Sequence, residues 1–231
     1  MWERQLALAT DGWRLVVPQL RGFDGGAGEP SVSAIDDYAG DVIDLLDTLH
    51  IDEAVIGGLS MGGYVAFAIL RHAARYVHAL ILADTKSEAD SPDAIAGRKR
   101  LLEILEKKGT AGVADEMVPK LLGETTRRER PEVEARVREL VLSNAPEPIA
   151  GAVRALMSRP DSTPLLATIH VPTLIVVGAE DTVTPPVAAE ALHRAIGGSE
   201  LVQIPGAGHL SNLERPELFD AALARFLSHR V

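Results

Sequence analysis

The segment Ala54-Val-Ile-Gly-Gly-Leu-Ser-Met-Gly-Gly-Tyr-Val-Ala-Phe-Ala-Ile-Leu70 leaves the chain few ways to fold. A short apolar run rich in β-branched residues meets Gly58-Leu-Ser-Met-Gly62, and an apolar helical pattern follows at once. The pattern predicts strand, tight turn and helix, with Ser60 at the apex, in the G-x-S-x-G context of a nucleophile elbow. The reason is steric. A turn this sharp puts the serine in a strained backbone conformation, and chain passes close by only if the positions two before and two after it lack side chains. The Ser60 hydroxyl then stands free above the sheet. The backbone N–H of Met61 points into the same space from the first helical turn, where the helix dipole favours negative charge.

Length and composition bound the rest. A chain of 231 residues holds one α/β core with room for one insertion, and 46% apolar content fills it. No run approaches the roughly 18 apolar residues of a membrane span. The net charge of −10 argues against nucleic acid or an anionic membrane surface as a partner. With no cysteine, disulfides, thiolate catalysis and Cys-ligated metals are excluded. No signal peptide is visible, so the expected location is cytoplasmic.

Short apolar runs alternate with helical patterns, the mark of a mostly parallel, doubly wound α/β sheet. Strands are expected at Trp13–Gln19, Ala54–Gly58, Val77–Asp84, Val171–Gly178 and Glu200–Ile204, and helices at Ala39–Leu49, Met61–Tyr76 and Glu214–Leu227. Between Lys86 and Pro160 no strand pattern occurs. Four amphipathic helices are expected there, at Arg98–Lys108, Ala111–Leu122, Pro131–Ser143 and Ile149–Met157. So long a stretch exceeds one crossover and reads as a helical cap over residues 86–160, with 1–85 and 161–231 forming the core.

A serine nucleophile needs a base, and the base needs an orienting acid. His209 lies in the glycine-flanked loop Gly206-Ala-Gly-His-Leu210, directly after a strand. His72, His78, His193 and His229 fall on or beside regular patterns, and His50 and His170 precede strands at the far end of the sheet. Two acids end strands, Asp181 and Asp84, and both suit the site end of an open sheet. The turn Glu180–Pro185 favours Asp181, with Asp84 the fallback and Glu180 solvated. Gly22-Phe-Asp-Gly-Gly-Ala-Gly28 does not match a dinucleotide fingerprint and reads as a loop. No metal-ligand spacing is present, so neither metal nor cofactor is expected.

Taken together, Gly58-Leu-Ser-Met-Gly-Gly63, Val171-Pro-Thr-Leu-Ile-Val-Val-Gly-Ala-Glu-Asp181 and Pro205-Gly-Ala-Gly-His-Leu-Ser-Asn-Leu-Glu214 resemble three blocks of the α/β-hydrolase superfamily in the family's order. Their wording is closest to the branch of oxoadipate enol-lactone hydrolases, small esterases and cofactor-free haloperoxidases. The resemblance implies a catalytic triad of Ser60, Asp181 and His209, with the Met61 N–H as one oxyanion donor. It implies a serine esterase or lactonase acting on a small carboxylic ester or lactone. Carbon–carbon hydrolysis, perhydrolysis and non-catalytic ligand binding are the alternatives. One family feature has no match: a strand ending in a His-Gly turn, which supplies the second oxyanion donor, ahead of Met1-Trp-Glu-Arg-Gln-Leu6. Either the natural chain extends upstream, which is the expectation adopted, or the strands at Trp13–Gln19 and Ala54–Gly58 pair directly. The 231-residue chain is then expected to be marginally stable and poorly active, or to self-associate as a homo-oligomer to cover strand edges.

Overall fold

The computed structural model describes residues 1–8, 12–23 and 34–231. Among these residues the sheet has four parallel strands, in spatial order β1 (Ala54–Leu59), β2 (Val77–Ala83), β3 (Thr173–Gly178) and β4 (Glu200–Ile204). Alternating side chains feed two cores. Leu80, Leu82, Ile175 and Val177 pack under α1 (Ile35–Thr48), α2 (Met61–Ala73) and, further along the chain, α8 (Pro186–Ala195). Ala79, Ala83, Leu174 and Val176 face the other way, toward Phe219, Leu223 and Phe226 of the C-terminal helix (Pro216–Arg230). The sheet is thus doubly wound. Helix α8 has no counterpart in the sequence reading; its signals are Pro185-Pro186 at the start and buried Ala189 and Leu192 at helical spacing.

Between β2 and β3 run α3 (Pro92–Leu121), α4 (Glu124–Glu129), α5 (Pro131–Leu142), α6 (Pro146–Ser158) and the short α7 (Thr163–Leu166). Helix α3 is two helices joined at Gly109, whose φ of +65° interrupts the helical path where the sequence pattern also breaks. Leu105, Val113 and Ala150 form a small core of this segment's own, with Leu101, Leu102 and Met117 against it. Ala114, Val118, Leu122, Val133 and Val137 instead join the sheet's second core, so the segment both packs on itself and stands on the sheet.

One strand expectation fails. Trp13–Gln19 belongs to no strand, and Trp13, Val16 and Val17 are exposed. Residues with strand propensity make a strand only if a neighbour supplies ladder hydrogen bonds. Among the described residues β1 pairs with β2 alone and Gly57 is exposed, so the two flanking segments do not pair directly. Near the start of the chain a 3₁₀ turn spans Gln5–Leu8. Residues 24–28 of the glycine-rich run lie outside the described residues.

Candidate active site

Ser60 and Asp84 follow the carboxyl ends of the neighbouring strands β1 and β2, whose last residues, Leu59 and Ala83, are register partners. The ladder extends one step further: Ser60 N–H donates to the Ala83 carbonyl at 2.8 Å, and Asp84 N–H to that of Val176 at 2.8 Å. Both residues are held in left-handed backbone, Ser60 at φ +53° and Asp84 at φ +45°. For L-residues such conformations cost of order 1–3 kcal/mol and persist only where the surroundings impose them.

Glycines make the turn at Ser60, in part differently from the expectation. A Cβ on Gly58 would lie 2.1 Å from the Gly62 carbonyl group, so Gly58 has to be bare. A Cβ on Gly62 would meet nothing within 4 Å; only its backbone matters. Gly63 is the second position that has to be bare, because a Cβ there would lie 2.5 Å from Thr85 Oγ1. Thr85 in turn donates from Oγ1 to the Ser60 carbonyl at 2.9 Å. Met61 opens α2, so its N–H is among those without an intrahelical acceptor.

Ser60, His209 and Asp181 form one hydrogen-bonded chain. His209 Nε2 lies 2.8 Å from Ser60 Oγ, and Nδ1 lies 2.8 Å from Asp181 Oδ2. With the carboxylate accepting from Nδ1–H, Nε2 is left to accept the serine proton. Asp181 is buried, and its Oδ1 accepts N–H bonds from Val183 (2.7 Å) and Thr184 (2.9 Å). Thr184 Oγ1 donates to Oδ2 at 2.7 Å. Burial pushes the Asp181 carboxyl up, but His209 and Thr184 outweigh it and hold the group below its ordinary value.

Asp84 takes a different place. Its Oδ1 accepts Gly178 N–H at 2.8 Å, and Oδ2 accepts Ser211 O–H at 2.5 Å, joining the end of β3 to the loop after His209. It is fully buried with no cation bonded to it among the described residues, and burial pushes its carboxyl up to about 7, against the smaller opposing effects of His209, Ser211 and Gly178.

The other histidines lie elsewhere: His72 is beside Asp36, His78 beside Glu53, His193 bonds Ser199, and His229 bonds the Arg225 carbonyl. Glu180 is not simply solvated. It accepts Thr125 N–H at 2.8 Å and Thr125 O–H at 2.5 Å. Thr184 and Glu214, both tied to the site, were not singled out by sequence; a hydroxyl three residues past the acid and a glutamate five past the histidine were the available signals. Among the described residues no group of three His, Cys, Asp or Glu side chains is arranged to hold a metal ion, and no helix is long and apolar enough to cross a membrane.

This geometry has relatives. The model of the alpha/beta hydrolase family matches residues 1–222. The chain belongs to that family. It is 27% identical over 223 residues to 3-oxoadipate enol-lactonase 2 of Acinetobacter baylyi, covering 96% of this chain and 82% of the relative. A thermophilic esterase from Thermogutta terrifontis, solved with malate bound, superposes with a TM-score of 0.93 at 41% identity, covering 98% of this chain and 84% of that one. The enol-lactonase from Burkholderia xenovorans LB400 gives 0.87 at 28% identity, covering 99% and 86%. This α/β hydrolase is therefore a hydrolase by family, with esterases and enol-lactonases as its neighbours.

Proposed function

We propose that this α/β hydrolase cleaves a small carboxylic ester or lactone through an acyl-enzyme on Ser60. The observation that carries the reading is the hydrogen-bonded chain Ser60–His209–Asp181, with both links at 2.8 Å and the histidine and aspartate buried. Ser60 Oγ attacks the carbonyl carbon as His209 Nε2 takes its proton. The Met61 N–H donates to the oxyanion that forms, a contact worth roughly 10²–10³-fold in turnover. His209 then protonates the departing alkoxide, which in a lactone stays attached to the acyl group. Water, deprotonated by His209, attacks the ester carbonyl, and the acid leaves as Ser60 regains its proton. Asp181 keeps the imidazole in the required tautomer throughout. The helices of residues 86–160 act in this reading as a cap that decides which acyl chains enter.

The test pairs Ser60→Ala with a fluorophosphonate probe. The native protein should turn over a chromogenic short-chain ester and be labelled at Ser60. The variant should do neither while keeping its circular dichroism spectrum. Native-level turnover by the variant would sink the acyl-enzyme mechanism. An unlabelled native protein that binds esters without cleaving them would make it a ligand-binding member of the family.

A further inference from the structure

The segment Leu121–Thr125, where α3 hands over to α4, touches the loops carrying both His209 and Asp181, and it does so through two carboxylates that take no part in the triad. Glu214 is fully buried. Its Oε1 accepts the N–H groups of Gly208 (2.9 Å) and Leu210 (3.1 Å), the residues on either side of His209. Its Oε2 accepts Gly123 N–H at 2.8 Å. His209 N–H itself donates to the Leu121 carbonyl at 3.0 Å. Glu180, adjacent to Asp181, holds Thr125 by its N–H and its hydroxyl.

Three glycines allow the backbones to meet. A Cβ on Gly208 would lie 2.3 Å from Gly123 N, one on Gly123 2.9 Å from Gly208 N, and one on Gly178 1.9 Å from the Gly208 carbonyl oxygen. The end of β3, the histidine loop and the Leu121–Thr125 segment are thus in direct backbone contact, and each carboxylate closes one side of the junction.

We propose that Glu214 and Glu180 are positioning residues that lock the helical segment to the base and acid loops, so that the seating of Leu121–Thr125 sets the His209–Ser60 alignment. Glu214 acts on the base from both flanks. Glu180 fixes the far side of the same segment to the turn that presents Asp181. Because both grip one short stretch of chain, they work as a unit. The catalytic consequence rests on the Ser60 hydrolase reading; the clamp itself does not.

The experiment compares Glu214→Ala, Glu214→Gln, Glu180→Gln and the Glu180→Gln/Glu214→Gln pair, well below their melting temperatures. The amide in Glu214→Gln keeps one acceptor oxygen for Gly208 and Leu210 but turns an NH₂ toward Gly123 N–H, so it releases the segment while sparing the histidine loop. Misplacing a catalytic group by about 1 Å costs up to roughly 10²-fold in rate. Glu214→Ala should therefore lower kcat by tenfold or more with KM little changed, Glu214→Gln should fall between it and the native protein, and the double variant should lose less than the product of its single losses. Unchanged kcat in Glu214→Ala, or losses that simply multiply, would overturn the proposal. Amide hydrogen exchange reads the clamp without any turnover. Glu214→Ala should speed exchange at Gly123 and Thr125 as well as at Gly208 and Leu210. Acceleration confined to Gly208 and Leu210 would refute the coupling even in a protein that hydrolyses no ester.

Discussion

Gly58 and Gly62 are in contact through backbone alone: a Cβ on Gly58 would lie 2.1 Å from both the carbonyl carbon and the carbonyl oxygen of Gly62, yet one on Gly62 would point into open space. The two glycines flank Ser60 symmetrically in sequence and asymmetrically in space. Gly58→Ala has no flexible side chain to push aside, so the elbow has to open, and the variant should lose the Ser60 geometry together with several °C of Tm. Gly62→Ala should fold with Tm unchanged or raised, since alanine in a compatible helical position gains roughly 0.4–1 kcal/mol. Thermal melts of the two variants decide it; equal destabilisation would mean that Gly62 also needs to be bare.

Asp181→Asn should cost about 10⁴-fold in turnover while the protein stays folded, because the orienting carboxylate is lost and the imidazole tautomer with it. A single amide oxygen also cannot serve His209 and the N–H groups of Val183 and Thr184 together. Asp84→Asn should leave turnover within a few-fold of native, since Asp84 bonds Gly178 and Ser211 and not the imidazole. Ester hydrolysis by the two purified variants is the measurement, and the reverse pattern would move the acid to Asp84.

Asp84 also predicts a pH dependence of stability. Its carboxyl is raised from 3.8 to about 7 by burial, so between these values the folded state holds a proton that the unfolded state has lost. Stability then falls as pH rises from about 4 to about 7 and stays lower above that, by as much as about 4 kcal/mol from this one group. Asp84→Asn removes the penalty, because an amide can accept from Gly178 N–H and donate to Ser211 Oγ. Urea unfolding should show the variant more stable than native at pH 8 and the two converging near pH 4. A constant difference across that range would contradict the linkage.

Asp90 joins the two ends of the helical segment. Its carboxylate, almost fully buried, meets Arg159 Nη1 at 2.7 Å and is bonded by Arg98 Nε, while the Arg159 guanidinium lies 4.1 Å from the centre of the Tyr64 ring. Burial pushes the Asp90 carboxyl up, but the two arginines outweigh it and hold it below its usual value. Asp90→Ala leaves Arg159 buried without its counter-ion, which should cost about 3–5 kcal/mol and lower Tm by about 10 °C. A Tm within 2 °C or so of native would show that the arginine finds water or another carboxylate.

Much of the fold was legible because it is local. The apolar run before Ser60, the glycines around it and the helix behind it each follow from short-range sterics and periodicity, and the break at Gly109 appears in both pattern and backbone. His209 stood out by its glycine-flanked loop after a strand. What depends on neighbours distant in sequence was not legible. Trp13–Gln19 carries strand residues, but hydrogen-bond partners decide whether they form a strand, and none is present among the described residues. Asp84 and Asp181 both end strands; the turn Glu180–Pro185 favoured Asp181 but left Asp84 as a fallback, and the course of the His209 loop puts the imidazole on Asp181. Glu180 was expected to be solvated and Glu214 was not singled out; both are bonded because Gly123, Thr125 and Gly208 arrive beside them. The sequence by itself determined the elbow, the alternation of strands and helices and the chemical types at the site. Tertiary structure decided which apolar runs gain strand partners and which groups gather around the His209 loop, since a hydrogen-bond partner is chosen by distance in space, which no local pattern encodes.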